Sequence, residues 1–342
     1  MSQSTPTMTP RVSLSKPMRD ALIEEIFARA RKDSNLLLLS ADPGVAALNA
    51  FRAELPDQSI FPSLCGENLI DRAADLARVG KNVFAYTMAS SIDARCYERL
   101  KAALGAMNKP VTVVSVGVGL GCEDARSKPC FTEDIACLRS LPNVEIWTPC
   151  DEESTRAITL ECCDRPAFRL IRLEHTPLAN VYQGNFRADL AAGFSEVAAS
   201  NGDAVILASG YMLHRALAVR DELRMEGLEV AVADVFRIKP IASRELTAYL
   251  GRFSRVITLE EQCLAGGFGS AIAETLMDAA TYKPMLRLGL PDRSFVERGG
   301  RDHLLEKFGL GVSTVAERIT NFVTPTCSSR SRPLRVPTFT SY

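Results

Sequence analysis

The chain has 342 residues, 46% of them hydrophobic and 24% charged, with 40 basic and 41 acidic side chains and a formal net charge of -1. That length suits two domains or one large one, and so even a balance of charge leaves no electrostatic footprint for nucleic acid or an anionic membrane. No stretch approaches the ~20 apolar residues of a membrane span, and the polar N-terminal stretch lacks an apolar signal core, so a reducing cytoplasm with mostly free thiols is expected for the ten cysteines.

Residues 1–15 read as a flexible arm. Met18, Leu22, Ile23, Ile26 and Phe27 recur at helical spacing and predict a helix over 17–31. The apolar run 36–39 reads as a buried parallel strand, ending in the loop Ser40-Ala41-Asp42-Pro43. Helices are then predicted over 68–79, 94–107, 132–141 and 152–163. Strands are predicted over 82–87, 111–118, 144–148 and 168–173, the second of them running into Gly117-Val118-Gly119-Leu120-Gly121. A linker rich in Pro, Asn and Gly follows over 177–195. Beyond it, strands are expected at 204–208, 228–235, 255–259 and 284–288, with helices at 212–226, from Gly266-Gly267-Phe268-Gly269 to 279, and at 301–308. Strands alternating with helices imply parallel sheets covered on both faces. The expected fold is α/β in two domains, 16–176 and 196–325, each a mostly parallel sheet flanked by helices. The Ser/Arg/Pro/Thr-rich tail 326–342 is expected to be disordered.

The cysteines form no C-x-x-C pair. Cys122, Cys130 and Cys137 are close in sequence but have no suitably spaced histidines, so they read as buried or incidental rather than as a zinc or redox centre. His214 and His303 fall on helical patterns and read as structural.

Several segments resemble the transketolase family, above all its split, two-subunit members. They are Gly66-Glu67-Asn68-Leu69-Ile70, Ala73-Ala74-Asp75-Leu76-Ala77, the stretch 86–100, Thr132-Glu133-Asp134-Ile135-Ala136, Leu138-Arg139-Ser140-Leu141-Pro142-Asn143 and Pro149-Cys150-Asp151-Glu152-Glu153. Further along come Ala208-Ser209-Gly210, Lys239-Pro240, Leu259-Glu260-Glu261, Gly266–Gly269 and Gly289-Leu290-Pro291-Asp292. The later set is also similar to deoxyxylulose-phosphate synthases and to β subunits of 2-oxoacid dehydrogenases. The resemblance covers about residues 15 to 320 and is specific for the superfamily rather than for one reaction.

It implies a pyrimidine-binding domain at 16–176 and a transketolase C-terminal domain at 196–325. It implies thiamine diphosphate as cofactor, with the diphosphate and Mg²⁺ held by a partner chain, because this sequence lacks the family's Gly-Asp-Gly. The partner implied is the N-terminal transketolase-like subunit, in an α₂β₂ assembly. The activity implied is transfer of a two-carbon ketol unit, from a small sugar or ketose. Two other readings stay open: a non-catalytic structural or regulatory partner, and a dehydrogenase-type β subunit.

In the family a buried carboxylate hydrogen-bonds the aminopyrimidine and tunes its protonation. Aligned without a gap, the family position falls on Gly66, and Glu67 takes the role only if the preceding turn is reshaped; otherwise Glu67 is a first-turn acid favouring the helix dipole. Asn68 matches the family's Asn, and the pyrimidine-stacking aromatic falls on Ser91. The family's substrate-handling histidine falls within 126–129, where there is none. Ser40 and Asp42 match a turn facing substrate phosphate, or they cap a helix. Asp124 meets a substrate hydroxyl, or is a solvated loop acid. Arg172 and His175 bind a phosphate or carboxylate, or Arg172 pairs with Glu174 or Asp164. Glu133 matches a family acid at the pyrimidine-side loops, or acts locally. Gly266–Gly269 either cradles an anion at a helix N-terminus or permits close packing.

Overall fold

Two sheets organise the computed structural model, which describes residues 16–42, 44–61, 66–89, 92, 94–105, 109–121, 130–182, 184, 186, 190–293 and 299–324. In chain order the first part runs α1 (Met18–Ala30), β1 (Leu36–Ser40), α2 (Asn49–Glu54), β2 (Ser59–Ile60), α3 (Gly66–Arg78), β3 (Asn82–Met88) and α4 (Ala94–Arg99). It continues with β4 (Val111–Val116), α5 (Asp134–Leu138), β5 (Glu145–Trp147), α6 (Glu152–Asp164) and β6 (Arg169–Leu173). The second part runs β7 (Ser195–Ala198), β8 (Ala204–Ala208), α7 (Tyr211–Met225), β9 (Ala231–Asp234), β10 (Arg237–Lys239) and α8 (Ser243–Leu250). It closes with β11 (Arg255–Cys263), α9 (Phe268–Asp278), β12 (Met285–Leu290), α10 (Arg301–Lys307) and α11 (Val312–Val323).

The first sheet has the order β10-β5-β6-β4-β3-β1-β2 and is parallel except for β10. Both of its faces are covered, which is why β1 reads as four consecutive leucines. Leu36 and Leu38 pack into the core under α1 and α6; Leu37 and Leu39 point into the core on the opposite face, with α3. Each such leucine contributes about 1.5–3 kcal/mol on full burial. The second sheet, β12-β11-β8-β9-β7, is parallel except for β7. Helices α7 and α11 cover its outer face. Its inner face joins the first sheet through one continuous core, in which Val113 and Leu141 belong to the same cluster as Val205, Leu207, Phe268 and Ile272.

Strand β10 crosses from the second part of the chain to the edge of the first sheet, pairing Arg237 with Trp147. Sequence periodicity predicts no strand there, since three residues are too few for a period-2 signal to register. Nor does it yield α2, β2, β7, α8 or α11. The last has buried Val315, Ala316 and Ile319 at helical spacing, so that signal was present. The helix expected over 132–141 shrinks to α5, and the one expected over 94–107 passes after Arg99 into a π-helical stretch, Leu100–Gly105.

Candidate functional site

Because β1, β3, β4, β5 and β6 are parallel, their carboxyl ends share one edge of the sheet. The chain steps from β1 outward to β2 and then returns to the other side of β1 as β3, so the winding reverses between β1 and β3. A crevice opens at the carboxyl ends at such a switch point. Ser40 ends β1 there, in register with Tyr86 of β3, and is wholly buried. Its hydroxyl donates to the Asp42 carbonyl (2.9 Å) and accepts from the Asp42 amide (3.2 Å). The Asp42 carboxylate accepts from the Gly44 amide (3.0 Å). Both residues therefore shape a turn. They do not cap a helix: the next helical turn starts at Ala46, after Val45.

The Tyr86 hydroxyl is buried with no well-formed hydrogen bond. Burial pushes it up to about 12, Arg19 pulls it back, and Asp42 and Asp20 push it further up. Arg19, on the first turn of α1, was missed in the sequence. A cation in a first turn opposes the helix dipole, and that anomaly was the available signal.

Helix α3 follows β2 and packs on β3 and β1 through Leu69, Ile70, Ala73, Ala74 and Ala77, so its first turn lies at the same carboxyl edge. Its first residue is the buried Gly66. Glu67 comes second, half-buried, and Asn68 is exposed. The step from Gly66 to Glu67 turns the side-chain direction by ~100°. Ser91, Asp124 and 126–129 lie outside the described residues.

Farther along the edge runs a polar seam between the two sheets. Arg172, 2% exposed, donates from Nε and Nη2 to the Asp134 carboxylate (2.7 and 3.2 Å) and from Nη1 to the Thr148 hydroxyl (3.2 Å). Its partner is thus Asp134, neither Glu174 nor Asp164: Glu174 pairs with Arg301, and Asp164 with Arg29. Asp134 is the buried acid of this segment, whereas Glu133 accepts from the neighbouring Thr132 hydroxyl (3.0 Å). The His175 amide donates to Glu174 (2.7 Å). Arg172, Thr148, Glu174, Ser209, Glu260 and Gln262 line a small polar cleft between the sheets.

The two glycine clusters take up internal carboxylates. The Phe268 and Gly269 amides at the start of α9 donate to Glu260 (2.7 and 2.8 Å), so that helix terminus already holds an anion from its own chain. Burial pushes Glu260 up to about 7, against the pull of these amides and of Arg287. Gly119, at φ +60°, admits Glu261, which accepts from the Leu120 amide (3.3 Å); a Cβ at Gly119 would sit 2.5 Å from the Glu261 carboxyl carbon.

A second buried group lies where the linker meets both sheets. Asp151 accepts the amides of Ser154, Val181 and Tyr182 (2.8, 2.8 and 2.9 Å). The Tyr182 hydroxyl donates to Asp234 (2.9 Å), and the His214 ring contacts the Cys150 carbonyl (2.8 Å). Cys96, Cys130, Cys137, Cys150, Cys162, Cys163 and Cys263 are thiols rather than disulfides, and burial pushes the Cys162 and Cys163 thiols up to about 12. Among the described residues, no group of three or more His, Cys, Asp or Glu could hold a metal ion, and no helix is long and apolar enough to cross a membrane.

The family model for the transketolase C-terminal domain matches residues 193–315. A transketolase family protein of Sinorhizobium fredii (strain NBRC 101917 / NGR234) is 32% identical over 86% of this chain and 85% of its own length. An apulose-4-phosphate transketolase subunit of Phocaeicola vulgatus is 27% identical over 91% of this chain and 98% of its own. A split-gene transketolase, solved as an inactive β4 tetramer, superposes with a TM-score of 0.80 at 27% identity, covering 90% of this chain and 98% of that one.

Proposed function

The chain belongs to the transketolase family, and from that premise we propose that it is one subunit of a two-chain, thiamine-diphosphate-dependent enzyme that transfers a two-carbon ketol unit, this subunit supplying the pyrimidine side of the site. The observation that carries the reading is the carboxyl edge at β1 and β3, where buried Ser40 stands in register with Tyr86, Arg19 and Asp42 act on the Tyr86 hydroxyl, and α3 opens with Gly66, Glu67 and Asn68. These residues would hold one half of the cofactor. Glu67 would hold a proton at the pyrimidine nitrogen, with Asn68 and Ser91 beside the ring. Bound there, thiamine diphosphate supplies a nucleophilic carbon and an electron sink. Arg19 would orient the anionic end of a sugar phosphate beside the turn that Ser40 and Asp42 shape, and Asp124, Arg172 and His175 are assigned to the rest of the substrate. Arg172 would act chiefly by holding Asp134 and Thr148 at the edge.

The diphosphate and its Mg²⁺ fall to an N-terminal transketolase-like subunit in an α₂β₂ assembly. Two relatives support the division, one named as a transketolase subunit and the other as a split-gene enzyme.

One observation favours a second reading, a structural partner whose own chemistry has decayed. The first position of α3 is Gly66, which offers no side chain where the family resemblance puts a carboxylate.

Co-expression with the product of the neighbouring gene, affinity capture, and quantification of thiamine diphosphate and Mg²⁺ in the complex test the proposal. A second chain arriving with about one cofactor per pair supports the split enzyme. A stable pair without cofactor favours the structural partner, and capture of no partner refutes the two-chain assignment.

A further inference from the structure

Arg301, the first residue of α10, belongs to the second part of the chain but reaches three strand ends on two sheets. Its Nε and Nη2 donate to Glu261 at β11 (2.8 and 2.6 Å). Its Nη1 donates to Glu174, just past β6, and its Nη2 also donates to the Val118 carbonyl just past β4 (3.3 Å). The guanidinium lies 3.8 Å from the centroid of the Tyr211 ring. Side-chain exposure is 10% for Arg301, 3% for Glu174 and 4% for Glu261. Each carboxylate passes the contact on to a loop of the first sheet: Glu261 accepts from Leu120 within the glycine turn, and Glu174 accepts from the amides of His175 (2.7 Å) and Thr176 (3.5 Å). The glycines make room for this group. A Cβ at Gly121 would fall 2.9 Å from both the Arg301 guanidinium and the Glu174 carboxylate.

We propose that Arg301 is a positioning residue, through which the second part of the chain fixes two carboxyl-edge segments of the first sheet, Gly117–Gly121 and 174–176. The proposal rests on the reading that this edge receives substrate. A planar fork is needed to serve two carboxylates and a carbonyl at once. A lysine keeps the charge but offers one compact ammonium, which cannot span them.

The test is amide hydrogen exchange, read by mass spectrometry, on the full chain as wild type, R301K and R301Q. In R301K the Leu120, His175 and Thr176 amides should exchange about ten-fold faster. The Ser154, Val181 and Tyr182 amides, held by Asp151, should stay within about two-fold of wild type. In the pair reconstituted with the partner chain, R301K should raise KM for xylulose 5-phosphate, used as the probe, about five-fold, with kcat nearly unchanged and the same cofactor content. R301Q, which lacks both fork and charge, should be worse than R301K on both readouts. If R301Q does not fold, R301K decides. Unchanged exchange at the three amides overturns the proposal, as does a uniform rise along the whole chain, which would mark Arg301 as a general stability residue. Faster exchange with an unchanged KM overturns it too. A wild-type pair that does not turn over the probe counts against the reading of the enzyme, and the exchange pattern then decides the role of Arg301 alone.

Discussion

Replacing Asp234 by Asn should stabilise the protein, and by more as the pH rises. Asp234 ends β9 with no exposed surface, and one of its carboxylate oxygens accepts from Tyr182. Burial pushes its pKa from 3.8 up to about 8, while the Tyr182 hydroxyl and Cys150 thiol pull it down and Asp151 pushes it up. The folded chain therefore keeps a proton that the unfolded chain has released between about pH 4 and pH 8. Because the folded value is raised, the full stability is present below about pH 4, falls by about 1.4 kcal/mol per pH unit above it, and levels off past about pH 8. Asn keeps an acceptor for Tyr182 and cannot ionise. The advantage of D234N over wild type should therefore grow by about 3 kcal/mol between roughly pH 5 and pH 7.5, some 6 °C in melting midpoint at about 2 °C per kcal/mol. Thermal melts of both proteins at several pH values in that window measure it. Glu260 and the other titrating groups are common to both proteins and cancel in the difference. Midpoints that move in parallel would refute the argument.

Three further outcomes are expected. Arg172→Met leaves Asp134 buried without its cation and should cost about 3–5 kcal/mol in urea denaturation, most of it recovered when Asp134→Asn is added. Glu67→Gln should abolish turnover of the reconstituted pair, by at least ~10²-fold, while capture of the partner is unchanged; retained turnover removes Glu67 from the mechanism. Gly80→Ala and Gly119→Ala both force a residue into positive φ, at +89° and +60°, costing about 1 kcal/mol. Nothing lies within 4 Å of a Cβ at Gly80, whereas one at Gly119 meets Glu261, so Gly119→Ala should cost a further ~1–3 kcal/mol by the same denaturation assay.

Much of the fold was legible because buried parallel strands announce themselves. The runs at 36–39 and 204–208 are wholly apolar, 111–116 is mostly valine with Thr112 and Ser115, and each became a fully buried strand. The short pieces were not legible. β10 and β7 gain their order from the strands beside them, Trp147 and Ala233 supplying the register, and nothing within three or four residues encodes a partner so far away. The same limit applied to the charges. Arg172 has acids nearby in sequence at Glu174 and Asp164, yet it pairs with Asp134, 38 positions away; Glu261 meets Leu120 across 141 positions. Ion-pair partners follow from which strand ends share an edge, and that is a property of sheet order.

Sheet order also explains why the anion site expected at Gly266–Gly269 turned out to be filled, and why the glycine turn at 117–121 holds a carboxylate as well. Glycine turns and helix N-termini attract carboxylates whatever their source. When two carboxyl edges face one another, the nearest source is the protein itself: Glu260 occupies the start of α9, and Glu261 and Glu174 close on the glycine turn through Arg301. The seam is thereby neutralised from within, its main charged side chains only 2–10% exposed. At the β1/β3 crevice the balance differs. Arg19 is 28% exposed, and Asp42 and Glu67 are likewise only half-buried, so these groups keep part of their surface in water while lying beside buried Ser40 and Tyr86. A ligand arriving there displaces solvent and competes only with the Arg19–Asp20 contact (3.3 Å), whose side chains are 28% and 29% exposed, and this directs the search for the bound substrate to that end of the sheet.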